Sequence, residues 1–322
     1  MTLTQSLLLM GGGVLLLLAG AEALVRGASA LALRVGITPL VVGLTVVAIG
    51  TSSPELVVSV QAALAGNGGV ALGNVIGSNI ANLGLIVGVA AVLSPMLVDR
   101  DLVRIDMSVM LASMLALVVF LIDGALSRLE GGLLLLAAIV YTVLKIRTSR
   151  QEVRAATAAL APEVRDAMAE AALEAGFKRH LLLVVGGIAL LVFGADRLLA
   201  GAVTAAELLG VSEAVVGLTL VALGTSLPEL ATTVVAARRG EAEIALGNAV
   251  GSNIFNVFSV LGPAALARPI VAEGIGLDVE AIMIGFGLLT LVFLISGGQT
   301  KRWEGAVLLA GYGAYVWWLV AG

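Results

Sequence analysis

Two glutamates, Glu55 and Glu229, stand in matching surroundings 174 residues apart. Gly50-Thr51-Ser52-Ser53-Pro54-Glu55 is followed by Gly73-Asn74-Val75-Ile76-Gly77-Ser78-Asn79-Ile80-Ala81-Asn82. Gly224-Thr225-Ser226-Leu227-Pro228-Glu229 is followed by Gly247-Asn248-Ala249-Val250-Gly251-Ser252-Asn253-Ile254-Phe255-Asn256. From Gly36 to Asn82, 27 of 47 positions recur at that offset without a gap, so the chain contains an internal duplication. Each copy sets one carboxylate among hydroxyl and amide side chains inside an otherwise apolar stretch. An ionisable group there is costly and is read first as functional. Oxygen donors, with no cysteine in the chain and no histidine nearby, suit a hard cation such as Ca2+ or Na+.

Pro54 and Pro228 break their helices, which puts Glu55 and Glu229 in the first turn of a new half-helix. Two carboxylates brought close cannot comfortably both stay ionised unless a cation lies between them. A divalent ion would neutralise both, and sodium ions or a proton could occupy the same pair, which is the physical basis of exchange. The bland alternative, each glutamate merely capping its half-helix, would bury two charges for little return.

Thr51, Ser52, Thr225 and Ser226 offer hydroxyls, either to a cation or back to the helix carbonyl one turn earlier. At the breaks the carbonyls of Ala48, Thr51, Ala222 and Thr225 are expected to lose their helical partners and to seek another. Ser78 and Asn82, like Ser252 and Asn256, lie four apart on one helical face. They complete an oxygen cage or serve as hydrogen bonds between helices. Asn74, Asn79, Asn248 and Asn253 either join the site or tie down the broken helices. Glu22 and Asp196 also match at the 174-residue offset, and each has an arginine close by (Arg26, Arg197), a pattern of local charge compensation.

The elements that must position these residues are membrane helices. The chain is 60% hydrophobic and 12% charged, with a mean hydropathy of +1.10, whereas a soluble domain carries about a quarter charged residues. Low aromatic content and forty glycines fit closely packed transmembrane helices. Basic residues are not clustered with aromatics, so nucleic acid is not an expected partner; the partner is the lipid bilayer. The first apolar run lacks a basic lead and a convincing cleavage site, and is read as a retained helix.

Apolar runs long enough to cross the hydrocarbon core cover 5–33, 38–64, 69–94, 102–123, 129–147, 180–208, 212–237, 243–267, 277–297 and 303–320. The expected fold is therefore an all-α integral membrane protein of ten transmembrane helices, with helices 2, 3, 7 and 8 broken. With the N-terminus outside, fifteen of the eighteen basic residues fall on the inner side, leaving Arg128, Arg197 and Arg268 outside. Lys145 and Arg165 count among the inner loop charges. The reading is a multi-pass protein of the cell (cytoplasmic) membrane with both termini outside. Because five helices is an odd number, the two repeats, 1–147 and 179–322, are inverted relative to one another. Such repeats place their site near the bilayer midplane. Residues 148–178 read as a cytoplasmic linker divided by Pro162.

The paired GTSxPE and GNxxGSNIxN runs resemble the two α-repeats of the sodium/calcium exchanger family, within the calcium:cation antiporters, in a compact prokaryotic form. The resemblance implies that Glu55 and Glu229 ligate Ca2+ in alternation with Na+. It matches Thr51 and Thr225 to calcium-site threonines and Ala48 and Ala222 to backbone-carbonyl sodium ligands. It also matches Ser52, Ser78, Ser226 and Ser252 to flanking sodium sites, and Asn82 and Asn256 to the polar pair at the centre. Some prokaryotic relatives carry Asp at one of those last two positions. The family also implies that helices one and six slide over a fixed core.

The expected function is secondary active antiport of Ca2+ against Na+, by a monomer with no cofactor beyond the transported ions. The alternative is a proton-coupled divalent-cation exchanger using the same glutamates. A cation channel is disfavoured by the doubled helix breaks, and no nucleophile or metal constellation suggests an enzyme.

Overall fold

Helix starts and stops follow local chemistry. α1 (Leu3–Val35) begins with Thr2 and Gln5 in a reciprocal capping box and ends at Gly36, whose φ of +69° is the left-handed stop that glycine adopts without strain. α2 (Pro39–Thr51) and α3 (Ser53–Ala65) are long and apolar enough to cross a membrane only as a pair, and the pair is bent by 47° at Ser52. Then come α4 (Gly68–Leu93), α5 (Leu102–Phe120) and α6 (Arg128–Ala158). The second half comprises α7 (Phe177–Leu208), α8 (Ala222–Gly224), α9 (Leu227–Arg238), α10 (Ala242–Ala267), α11 (Leu277–Ile295) and α12 (Arg302–Ala321). The computed structural model describes residues 2–160, 176–208 and 222–321.

Among the described residues, seven helices are long and apolar enough to cross a membrane, or eight if the bent α2–α3 pair is one span. The span expected over 212–237 begins outside the described residues. The one expected over 303–320 forms α12, which is not among these seven.

Helices three and eight are expected to break at Gly77-Ser78-Asn79 and Gly251-Ser252-Asn253. They do not. α4 and α10 run through both points and instead widen into π turns immediately afterwards, at Asn82–Ile86 and Asn256–Leu261. Glycine and serine loosen a helix, but without a proline at these points no N–H is removed and the ladder continues.

The linker expected over 148–178 also starts differently: α6 continues to Ala158. Ser149 on this extension accepts the Thr38 N–H at 2.8 Å, joining it to the start of α2. Pro162 and Arg165 lie outside the described residues.

α10 and α4 form the centre: their apolar windows are 94% and 78% buried, against 33%, 22% and 28% for α1, α6 and α7. α1 and α7 cross the molecule antiparallel along a glycine seam. A Cβ on Gly20 would come within 2.8 Å of the Gly187 carbonyl oxygen, and one on Gly194 within 3.0 Å of that of Gly13. Short loop pairings join the halves: Ala125 and Leu126 pair antiparallel with Val271 and Ile270, and Leu97 bridges Gln299.

A buried ion pair lies away from the duplicated motifs. Asp106 on α5 accepts hydrogen bonds from Tyr141 Oη and Lys145 Nζ on α6, both at 2.9 Å. Lys145, expected as an inner loop charge, is therefore a helix residue whose side chain is only 12% exposed. Its long stem lets the ammonium fold back onto a carboxylate that would otherwise be stranded. Lys145→Met is expected to destabilise the protein by about 3–5 kcal/mol, because the Asp106 charge is left buried and uncompensated. Thermal unfolding in detergent would show it, and the double variant with Asp106→Asn should recover part of the loss.

Candidate cation-binding site

The two proline breaks lie side by side at the centre of the molecule. Pro54 and Pro228 occupy the second position of α3 and α9, where a missing N–H costs nothing to the new helix. The residues before each break, Ser52 (φ −81°, ψ 10°) and Ser226 (φ −88°, ψ 5°), adopt the same turn. Glu55 and Glu229 fall in the first turn beyond it and are fully buried.

Each carboxylate is met by the serine of the opposite repeat. Ser52 donates to Glu229 Oε1 at 2.9 Å, and Ser226 lies 3.3 Å from Glu55 Oε1. Ser78, on α4, donates to the same Glu55 oxygen at 3.4 Å and lies 3.2 Å from the Ser226 hydroxyl. The threonines cross over in the same way: Thr51 to Asn248 Oδ1 at 3.1 Å, Thr225 to Asn74 Oδ1 at 3.4 Å. Every one of these cross-repeat bonds from Ser52 and Thr51 has a counterpart 174 residues later with the partners exchanged.

Polar atoms are left over. Glu55 Oε2, Glu229 Oε2, Ser252 Oγ, Asn253 Oδ1, Asn256 Oδ1 and both polar atoms of Asn82 are buried with no hydrogen-bond partner among the described residues. Native proteins rarely bury polar atoms unpaired, and such a set calls for an occupant. Two carboxylates among neutral hydroxyl and amide oxygens fit a partly dehydrated hard cation.

Sequence-predicted residues divide into three groups. Glu55, Ser226, Ser78 and Thr225 belong to one hydrogen-bonded cluster through Asn74, and Glu229, Ser52 and Thr51 to a matching one through Asn248. Asn256 donates to Asn79 Oδ1 at 3.0 Å and opens the π turn in α10, as Asn82 does in α4, while Ser252 is buried and unpaired. Ala48 departs from expectation. Its carbonyl keeps its helical donor, Ser52 N–H at 3.0 Å, and has Thr51 Oγ1 at 3.4 Å. The reason is register. A helical N–H reaches four residues back, so Pro54 strips the donor from Gly50, and Pro228 from Gly224. Ala222 heads the short α8.

Ser59 and Thr233 are not among the expected residues, yet both belong to the surroundings of the site. They are buried and accept from Asn74 Nδ2 and Asn248 Nδ2 at 2.9 Å. They differ in residue type between the copies, so matching identical positions misses them; a polar residue four beyond each glutamate is the signal that finds them. The peripheral acids behave as expected. Glu22 pairs with Arg26 at 2.6 Å and also with Arg239, and Asp196 pairs with Arg197 at 3.1 Å.

The model of the family described as "Sodium/calcium exchanger protein" matches residues 5–147 and 179–321, most of the sequence. The chain belongs to the sodium/calcium exchanger family. Among curated relatives of this exchanger-family chain, the sodium/calcium exchanger MaX1 of Methanosarcina acetivorans is 38% identical over 295 residues, covering 83% of this chain and 84% of that one. The inner membrane protein YrbG of Escherichia coli is 37% identical over 266 residues, covering 81% and 80%. A solved structure of the sodium-calcium exchanger NCX_Mj soaked with Na+ and Sr2+ matches with a TM-score of 0.83 at 31% identity, over 98% of each chain. This exchanger-family chain is a multi-pass membrane transport protein.

Proposed function

We propose that this protein is a secondary active antiporter that exchanges Ca2+ for Na+ at the buried site between its two repeats. The observation that carries the reading is the reciprocal pairing of Glu55 and Glu229 with serines of the opposite repeat, beside oxygens that no group among the described residues satisfies. One divalent cation balances both carboxylates, and monovalent ions must enter in greater number to do the same, so the two species compete for one set of ligands. Thr51, Thr225, Ser52, Ser226, Ser78, Ser252, Asn82 and Asn256, with the backbone carbonyls of Ala48 and Ala222, supply the neutral oxygens. The names of MaX1 and NCX_Mj, both sodium/calcium exchangers, support Na+ as the counter-ion.

In this proposal residues 1–147 and 179–322 are five-helix repeats of inverted topology joined by the segment 148–178, giving ten spans. The exchange of partners between copies supports a two-fold relation, and the antiparallel packing of α1 and α7 is consistent with it. The protein acts as a monomer in the cell membrane, with both termini outside and the central segment in the cytoplasm.

The test is 45Ca uptake into proteoliposomes loaded with Na+, K+ or choline at fixed pH. Uptake is expected only with internal Na+. Indifference to Na+, with uptake following an imposed pH gradient, would replace sodium with protons as the coupling ion.

A further inference from the structure

Asn74 on α4 and Asn248 on α10 stand one layer outside the proposed ligands, and each amide bonds at both ends. Asn74 Nδ2 lies 3.2 Å from the Glu55 carbonyl oxygen and 2.9 Å from Ser59 Oγ. Asn248 Nδ2 lies 3.4 Å from the Glu229 carbonyl oxygen and 2.9 Å from Thr233 Oγ1. A backbone carbonyl only accepts, so the NH2 end of each amide must face it. The amide oxygen is thereby turned to the other side, where it meets Thr225 Oγ1 (3.4 Å) and Thr51 Oγ1 (3.1 Å) of the opposite repeats. An amide oxygen also only accepts, so the threonine hydroxyl must donate to it.

We infer that Asn74 and Asn248 are positioning residues that draw the hydroxyl protons of Thr225 and Thr51 outward, leaving the threonine oxygen lone pairs free for the cation. The inference rests on the proposed cation site. A hydroxyl ligates through a lone pair, and one whose proton points at the cation opposes binding. Without the asparagine, the Thr51 hydroxyl still reaches the Ala48 carbonyl at 3.4 Å, but the geometry that fixes its proton is gone. Ser59 belongs to the same chain of orientation. It gives its own proton to the Ala71 carbonyl at 3.4 Å and so presents a lone pair to Asn74. An asparagine that only tied the half-helix down would need its NH2 end alone. The use of the oxygen end, towards the other repeat and in both copies, is what a positioning role adds.

The test is a double-substitution cycle on the KM for Ca2+ in Na+-loaded proteoliposomes, using Asn248→Leu, Thr51→Val and both together. Each single substitution should raise KM about tenfold, the effect of losing one well-aimed polar interaction, and the pair should stay near tenfold because both remove the same lone pair. Multiplication to about a hundredfold would overturn the inference, as would an unchanged KM with only Vmax or yield reduced. Asn74→Leu with Thr225→Val repeats the cycle in the other copy. If neither asparagine variant yields folded protein, the amides are structural ties and the inference falls. Failure of the site itself would be seen elsewhere, as Ca2+ uptake persisting in Glu55→Gln, a result independent of the asparagine cycle.

Discussion

Glu55→Gln and Glu229→Gln are each expected to lower Ca2+ transport by at least about a hundredfold. Removing one of two buried carboxylates from a divalent cation costs several kcal/mol, and each ~1.4 kcal/mol is a factor of ten. The substitution keeps the shape of the side chain and an oxygen able to accept from the serine of the opposite repeat, so loss of flux would not come from a lost hydrogen bond. Removing a buried charge should leave the ion-free protein at least as stable as before. The informative result is therefore abolished flux with an undiminished unfolding midpoint. Near-normal flux in either variant would dismiss the carboxylate pair as the cation site.

Gly20→Val should impair exchange strongly without touching the site. Its Cβ would stand 2.8 Å from the Gly187 carbonyl oxygen and 2.9 Å from the Leu191 nitrogen, and both are backbone atoms that cannot turn aside. α1 and α7 must then separate along the seam. Overpacking of this kind costs about 1–3 kcal/mol. Because the two helices meet backbone to backbone, exchange rate should fall further than stability explains. Gly11→Val on the same helix, where a Cβ meets nothing within 4 Å, is the control. Equal turnover in the two variants would show that the seam's closeness is irrelevant to transport.

The duplication alone makes the centre of the molecule legible in the sequence. Residues that recur as a set (Thr51 with Thr225, Ser52 with Ser226, Glu55 with Glu229) are the ones that meet across the repeats. Prolines are equally readable, since the loss of an N–H has one consequence, and the bend at Ser52 follows it. Glycine and serine are not, because they permit a break without requiring one, and α4 and α10 stay continuous through them. The π turns at Asn82 and Asn256 carry no sequence signal of their own beyond the asparagines. For Ala48 the expected loss of a helical donor is out of register by two residues, since Gly50 is the position that Pro54 strips. The charge of Lys145 suggests a loop, whereas its partner Asp106 lies 39 residues away and only the packing of α5 against α6 brings them together.

The crossed bonding pattern bears on how the protein is made. The acceptor for Ser52 is Glu229, the acceptor for Thr51 is Asn248, and Leu97 pairs with Gln299. When the ribosome has finished the first copy of the duplication, none of these partners has yet been synthesised. The early half must wait in the bilayer with Glu55 and its neighbours incompletely satisfied, where unpaired polar groups are costly. Neither half is thus a self-sufficient folding unit, despite their matching sequences, and a chain truncated after the first half should be a target for membrane quality control rather than a miniature transporter.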